Sequence, residues 1–491
     1  MAFLILLLII LISLLVIKHN FSKKRFYEAA ETIPGPRSFP IVGNILSEIS
    51  NSVVERFARQ NSLFKEYGAT YRLWMGPTLK IFTSDPTVVE RIFGSNKYYL
   101  ERDHFHQSVL SPLLRNGLLT SNGEKWKRHR KVIISTFHTK ILETFIGNFA
   151  KNSKILTDRL AEVADGSSFD CYKYMAMCAL DIICETSMGV PVNAQLDGDN
   201  QYVKNTMRGI DLMIQRTMKP WLFSDTLYNL SELGKEQRNI TRFINSFCSN
   251  VIRKKLEVFS EAGLARREDD FVEIPVGNKL AFLDLLISNS LMNEEEMLDE
   301  VATLIFAGYE TTATTSSYVL TMLGEYQQVQ DKLFEEQKKV IKETMRLYSP
   351  VPSTSRTIDK VVEIENRFTI PAGSVFMLSI FCLHRNSKYY PDPESFDPER
   401  FSPENSKVRH PYAYMPFGGG RRKCVGYKYA FLEVKAMVST VIRRLQILKN
   451  EGAVDEMKKT FENGVVMKPS VGFNIRLIQR DSRTGRVMLK C

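Results

Sequence analysis

Apolar residues run almost without a break from Ala2 to Ile17, interrupted only by Ser13 and followed by Lys18, Lys23, Lys24 and Arg25. At about 1.5 Å per residue the run spans roughly 24 Å, close to the thinner hydrocarbon core of the endoplasmic reticulum. No basic residue precedes the run, no small-x-small cleavage site follows it, and the positive cluster lies on its C-terminal side. Those flanks predict an uncleaved signal anchor over 1–22 rather than a cleaved signal peptide, with the body of the chain in the cytosol. Ile33-Pro34-Gly35-Pro36 and Pro40 then oppose helix, so 23–40 is expected to be a stiff, extended, proline-rich strut and 41–491 the folded domain.

Tyr71 to Met75 and Lys80 to Thr83 read as strands, with Gly76-Pro77 as the turn of a hairpin. Helical periodicity dominates the next few hundred residues, and no fixed repeat suggests a solenoid. Charged stretches such as Arg266 to Asp270 read as solvated loops or helix ends. The expected fold class is mainly α with small β-sheets, in one large domain.

One helix stands out. Asn293 is a good N-cap, Glu296 sits at the capping-box position, and the pattern continues to a C-cap at Gly324, about 30 residues and roughly 45 Å. Its centre, Ala307-Gly308-Tyr309-Glu310-Thr311-Thr312, places glycine and β-branched residues where strong helix formers are expected, at about 1 kcal/mol for the glycine alone. Two readings fit: a close helix crossing at Gly308, or a flat ligand against the backbone with Glu310 and Thr311 offering a proton donor and a hydroxyl.

Composition narrows the class. The 491 residues are 44% hydrophobic and 25% charged, with 26 Gly and 19 Pro, which excludes intrinsic disorder, collagen-like repeats and a multi-pass membrane protein. Seven cysteines without a CxxC pair argue against a disulfide framework and a structural zinc site, and for a reducing compartment. The net charge of +11 lacks the basic tracts interleaved with aromatics that nucleic acid requires, so no nucleic-acid partner is expected; a docking face for an acidic protein accounts for it.

The second unusual stretch is Pro416-Phe417-Gly418-Gly419-Gly420-Arg421-Arg422-Lys423-Cys424-Val425-Gly426, placed before an amphipathic helix with apolar Ala430, Phe431, Val434, Val438, Val441, Ile442 and Leu445. No Gly-Lys-Ser/Thr follows, so it is not a phosphate loop. A cysteine at a helix start beside Arg422 and Lys423 is expected to have a lowered pKa, suiting a thiolate metal ligand or a nucleophile. No motif pairs Cys424 with a histidine base such as His410. An inert buried thiol is the bland alternative, but glycine backbone can lie against the face of a planar cofactor, which favours the ligand.

This loop resembles the haem-binding loop of the cytochrome P-450 superfamily, Phe-x-x-Gly-x-Arg-x-Cys-x-Gly, at every fixed position: Phe417, Gly420, Arg422, Cys424 and Gly426. Further marks stand in the family's order: Pro34-Gly35-Pro36, Trp126-x-x-x-Arg130, Ala307-Gly308-x-Glu310-Thr311-Thr312, and Glu343-x-x-Arg346 followed by Pro398-Glu399-Arg400-Phe401. Nearly the whole chain is covered. The segments Cys178 to Gly189 and Arg130 to His138 look like the microsomal family 4 clan, whose members act on fatty acids, related lipids and xenobiotics.

The resemblance implies the P-450 fold and a membrane-bound haem-thiolate monooxygenase. Cys424 would be the thiolate ligand of a haem b iron, whose electron donation favours O–O cleavage. Trp126 and Arg130, four apart on one helix face, would hold a propionate, with Arg356 and Arg422 at further propionate positions. Phe417, Gly420 and Gly426 would shape the cofactor loop. Glu310 and Thr311 match the acid-alcohol pair that relays protons to the oxygen site. Glu343, Arg346 and Arg400 look like the buried ion cluster beneath the loop. Ala307 departs from a position that is often glutamate in the clan, so haem is expected to be non-covalent. With no dinucleotide fingerprint after a strand, electrons must come from a separate NADPH-cytochrome reductase, with cytochrome b5 as a second donor. Lys127, Arg128, Lys131, Arg421, Lys423, Lys428 and Lys435 are candidates for the docking face. The pocket regions, His104 to Leu118, Leu304 to Gly308 and Val351 to Ser355, point mainly to an apolar cavity.

Two rivals follow from the same residues. A haem-thiolate isomerase or dehydratase of oxygenated lipids tends to lack the acid-alcohol pair present here. A haem or lipid binder without activity is favoured only by the short interval between Thr311 and Glu343, where family members carry an extra segment. Within it, Tyr326 to Leu347 contains no Gly or Pro and reads as one continuous helix. A straight helix would either unwind in its first half or displace Glu343 and Arg346, and poor haem incorporation is the expected result.

Overall fold

The computed structural model describes residues 24–39, 42–49, 52–95, 98, 100–198, 200–261, 281–288, 292–365 and 367–480. The apolar run at 1–22 and the charged stretch 266–270 lie outside them. Among the described residues no helix is long and apolar enough to cross a membrane.

The expected strut is only partly extended. Lys24–Glu31 is helical, with Ala30 buried on the apolar side of the turn. The proline stretch begins only after it, and the Pro34 carbonyl accepts a hydrogen bond from the Arg72 amide at 2.8 Å, so this segment is docked on the domain.

The largest sheet has four strands, β1 (Thr70–Met75), β2 (Thr78–Thr83), β3 (Ser353–Thr357) and β4 (Val375–Ser379), in the order β1-β2-β4-β3. β1 and β2 form the expected hairpin, with Met75 opposite Thr78 and Gly76 at a φ of 60° in the turn. Alternation sends Leu79 and Ile81 into a core with Phe376 and Leu378, leaving Thr78, Lys80 and Phe82 on the opposite face.

Five helices position the site: α1 (Gly123–Thr136), α2 (Tyr172–Ile183), α3 (Glu294–Glu325), α4 (Leu333–Leu347) and α5 (Tyr427–Arg444). The long helix α3 begins at the capping box, with Asn293 accepting from the Glu296 amide at 2.9 Å and Glu296 accepting from the Asn293 amide at 3.4 Å. It ends at Glu325 with Tyr326 as C-cap, just past the expected Gly324. α2 crosses it so closely that a Cβ on Gly308 would come within 2.6 Å of Ile183. The helix crossing therefore requires this glycine, and the same residue lines the cavity beside Cys424.

The continuous helix expected over 326–347 is broken. The chain turns at Tyr326, forms a short helix at Gln327–Asp331, and turns again at Lys332 before α4. Gln330 exchanges two hydrogen bonds of 3.0 Å with the backbone of Ile447, and Gln327 also donates to the Ile447 carbonyl. These amides hold the short helix to the strand Leu445–Leu448 and supply the change of direction. Glu343 and Arg346 are not displaced: Arg346 grips Glu343 through two hydrogen bonds of 2.7 and 2.8 Å, Arg400 lies 3.5 Å from the same carboxylate, and the Asp397 amide donates to it at 2.9 Å.

Candidate active site

Where α3, α5, α1 and the glycine-rich loop meet, they enclose an apolar cavity. On α3 it is lined by Leu304, Ala307, Gly308, Thr311 and Thr315, a stripe spaced three and four apart, hence one helix face. Thr311 donates its hydroxyl to the Ala307 carbonyl at 2.7 Å. Cys424 forms the opposite wall with Phe417, Gly418 and Gly426, and its amide donates to the Phe417 carbonyl at 3.0 Å.

The Cys424 side chain is open to this cavity, which itself lies deep in the protein. Burial pushes its thiol up, against the opposing influence of the Gly426 amide, Arg130 and Lys423. The lowered pKa expected from the helix start is thus not what the protein alone provides, because desolvation of the sulfur outweighs those neighbours.

One edge of the cavity is cationic. Trp126 and Arg130 lie on one face of α1, and the guanidinium carbons of Arg422 and Arg130 stand 4.0 and 5.7 Å from the Trp126 ring centroid. Arg356 from β3 and Arg102 complete the group. Burial, then Arg102, brings Arg422 down to about 9, and burial with repulsion from Arg102, Arg422 and Arg130 depresses Arg356. None of the four arginines forms an ion pair with a carboxylate among the described residues, and Arg422 Nε and Nη1 and Arg102 Nε are buried without a partner. Buried guanidinium groups in that state call for an anionic ligand. A planar apolar group carrying carboxylates at one edge, with a metal facing the Cys424 sulfur, fits all of these features; haem is such a group.

The sequence profile described as Cytochrome P450 matches residues 33–475. The chain belongs to the cytochrome P450 family. Cytochrome P450 4c3 of Drosophila melanogaster is 33% identical over 508 aligned residues, covering 96% of this chain and 93% of that protein. Cytochrome P450 4V2 of Mus musculus is 32% identical, with 96% and 94% covered, and Probable cytochrome P450 4s3 of Drosophila melanogaster is 31% identical, with 93% and 94% covered. The chain is a cytochrome P450 monooxygenase, with the haem-iron cofactor and cysteine thiolate ligand of that family.

In this P450, Thr311, Trp126, Arg130, Arg356, Phe417, Arg422, Cys424 and Gly426 surround one cavity, whereas Glu310 and Gly420 do not line it. Glu310 accepts a hydrogen bond of 2.6 Å from Tyr172 and pairs with Lys468 on the far side of α3. Gly420, at a φ of 63°, is pressed against the Phe93 carbonyl, which a Cβ would overlap at 1.9 Å; of the three consecutive glycines only Gly418 faces the cavity. Within the proposed docking cations, Arg128 is paired with Glu296, and Lys127 with Glu124 at 2.5 Å.

Two functional candidates have partners that no local sequence signal marks. Arg102 lines the cavity and donates to the Thr354 hydroxyl and the Ser355 carbonyl at 2.7 and 3.0 Å, partners about 250 residues away in sequence. Glu433, on α5, accepts from the Thr312 hydroxyl at 3.1 Å, and complete burial holds its carboxyl well above the usual range. Its place on the α3-facing side of α5 follows from periodicity, but its partner does not.

Proposed function

We propose that this P450 hydroxylates or otherwise oxidises an apolar substrate, drawn from fatty acids, hormone-like lipids or xenobiotics, using O2 and electrons from a separate NADPH-cytochrome reductase, with cytochrome b5 as a second donor. The observation that carries this reading is the shared cavity of Cys424, Thr311 and the arginine cluster. Cys424 would hold the iron of haem b, and Arg130, Arg356 and Arg422 with Trp126 would hold its propionates. Bound there, haem supplies the activation of dioxygen. Ala307 lines the cavity without a carboxylate, which supports non-covalent attachment. Thr311 presents its hydroxyl to the cavity as the proton-handling group, and Glu310 is the acid that replenishes it, reaching that position only by leaving Tyr172 and Lys468.

The basic residues around Cys424 and on α1 support an acidic redox partner on that side. The apolar run over 2–17 and the lysines and arginine after it support a single-pass anchor in the endoplasmic reticulum with the catalytic domain in the cytosol.

Reconstitution with a purified NADPH-dependent reductase and 18O2 tests the proposal. One labelled oxygen atom in the product and one in water is the expected result; rearranged product formed without NADPH would overturn it in favour of an isomerase.

A further inference from the structure

The loop that follows the helix His104–Leu114 is stitched to two turns of α3. The Leu114 carbonyl accepts from the Thr303 hydroxyl at 2.8 Å, and the Leu118 amide donates to Glu300 Oε2 at 3.0 Å. Between them Gly117 lies so close to α3 that a Cβ would come within 2.5 Å of the Asp299 carbonyl oxygen. The Asp299 carboxylate is in turn held by Arg115 at 2.7 Å and by Lys125 at 2.8 Å. These contacts set one wall of the cavity, because Leu118 and Leu119 line it from the loop and Thr303 and Leu304 line it from α3.

The loop does not keep this path by backbone preference. Arg115 has a φ of 51° and a ψ of −145°, a conformation that glycine adopts readily and a residue with a Cβ resists. The path therefore depends on its contacts to α3, and Glu300 stands at their centre. Its carboxylate is fully buried and engaged at both oxygens: Oε2 takes the Leu118 amide, and Oε1 lies 2.6 Å from His129 Nδ1. His129 is also fully buried, with its Nε2 3.4 Å from Glu296. It belongs to α1, the helix that carries Trp126 and Arg130 to the cationic edge of the cavity. One carboxylate thus joins three segments that enclose the site.

We infer that Glu300 is a positioning residue: with His129 fixing one of its oxygens, it places the Leu118 backbone and so sets how much room the cavity offers beside Thr303. Neither the class of substrate nor the electron donor enters into this role.

Spectral titration of the haem-loaded full chain with imidazole and 4-phenylimidazole reads that room, since both bind haem iron through a ring nitrogen and differ in bulk. In Glu300→Ala the affinity ratio of the two should shift by about tenfold or more toward the larger ligand, the scale on which pocket shape discriminates. Glu300→Gln keeps an acceptor for the Leu118 amide and a donor for His129 Nδ1, so its ratio should stay within about twofold of the unmodified protein. His129→Phe releases one oxygen of Glu300 and should shift the ratio in the same direction as Glu300→Ala. Hydrogen exchange of the haem-loaded protein should quicken over 115–121 in Glu300→Ala and stay unchanged there in Glu300→Gln. If Glu300→Ala does not retain haem, Glu300→Asp, one methylene too short to keep both contacts, is read the same way. An unchanged ratio in Glu300→Ala or His129→Phe, an equal shift in Glu300→Gln, or faster exchange spread over the whole chain would each overturn the assignment.

Discussion

Lys468 pairs with the carboxylate of Glu310 on the side of α3 that faces away from the cavity, while Thr311, the next residue, looks into it. Successive residues on an α-helix point about 100° apart, so the acid and the alcohol occupy different faces of the same turn. Thr311→Ala should therefore keep haem and its reduction while diverting electrons into hydrogen peroxide. Comparing NADPH consumed with product and peroxide formed measures this; unchanged coupling would remove Thr311 from proton delivery.

Cys424→Ala should abolish the red-shifted Soret band of the ferrous carbon monoxide complex, whereas Cys171→Ala and Cys382→Ala should retain it. Cys171 is buried and does not line the cavity, and Cys382, also outside its lining, donates to Asn61 Oδ1 at 3.2 Å. A reduced difference spectrum of each variant decides the assignment.

The arginine cluster gives opposite effects in the two ligation states. Arg356→Met removes a depressed, buried cation that repels Arg102, Arg422 and Arg130, so haem-free protein should melt at an equal or higher temperature. Haem retention should fall roughly tenfold or more, by loss of a charge-assisted contact. Thermal melts of haem-free protein and haem transfer to apomyoglobin read the two arms; weaker haem-free stability together with unchanged retention would contradict a propionate role.

The Glu343-Arg346-Arg400 cluster is intact despite the short connection before α4. Haem loading should thus be near one per chain by the pyridine haemochrome assay, in contrast to the poor incorporation expected from an unbroken helix. Glu343→Leu leaves Arg346 buried without its carboxylate and should destabilise the fold by about 3 to 5 kcal/mol in denaturant titrations.

His384 gives a pH dependence. Its Nε2 accepts from the Met415 amide at 2.8 Å, and burial, then Arg346, holds its pKa down from 6.5 to about 3. The unfolded chain takes up this proton first as pH falls, so the contribution is complete above pH 6.5 and is lost progressively between 6.5 and about 3, by up to about 1.4 kcal/mol per pH unit. His384→Gln should flatten that part of the stability profile, measured by urea unfolding at stepped pH.

Local order in the sequence determined the hairpin around Gly76, the capping box of Asn293 and Glu296, and the cavity-facing Ala307, Gly308 and Thr311, because each depends on neighbours within a turn or two. The spacing of Phe417, Arg422, Cys424 and Gly426 likewise marked the cofactor loop, since one short backbone path places all four. Tertiary structure alone decided the rest. Gln330 finds the Ile447 backbone and breaks a helix whose own residues favour continuity. Gly420 answers to the Phe93 carbonyl rather than to the cavity, and Glu310 to Tyr172 and Lys468. The Cys424 thiol responds to desolvation more than to the charges beside it in sequence. In each case the deciding partner or dielectric is supplied by chain segments far away, so its effect enters only when packing brings them together.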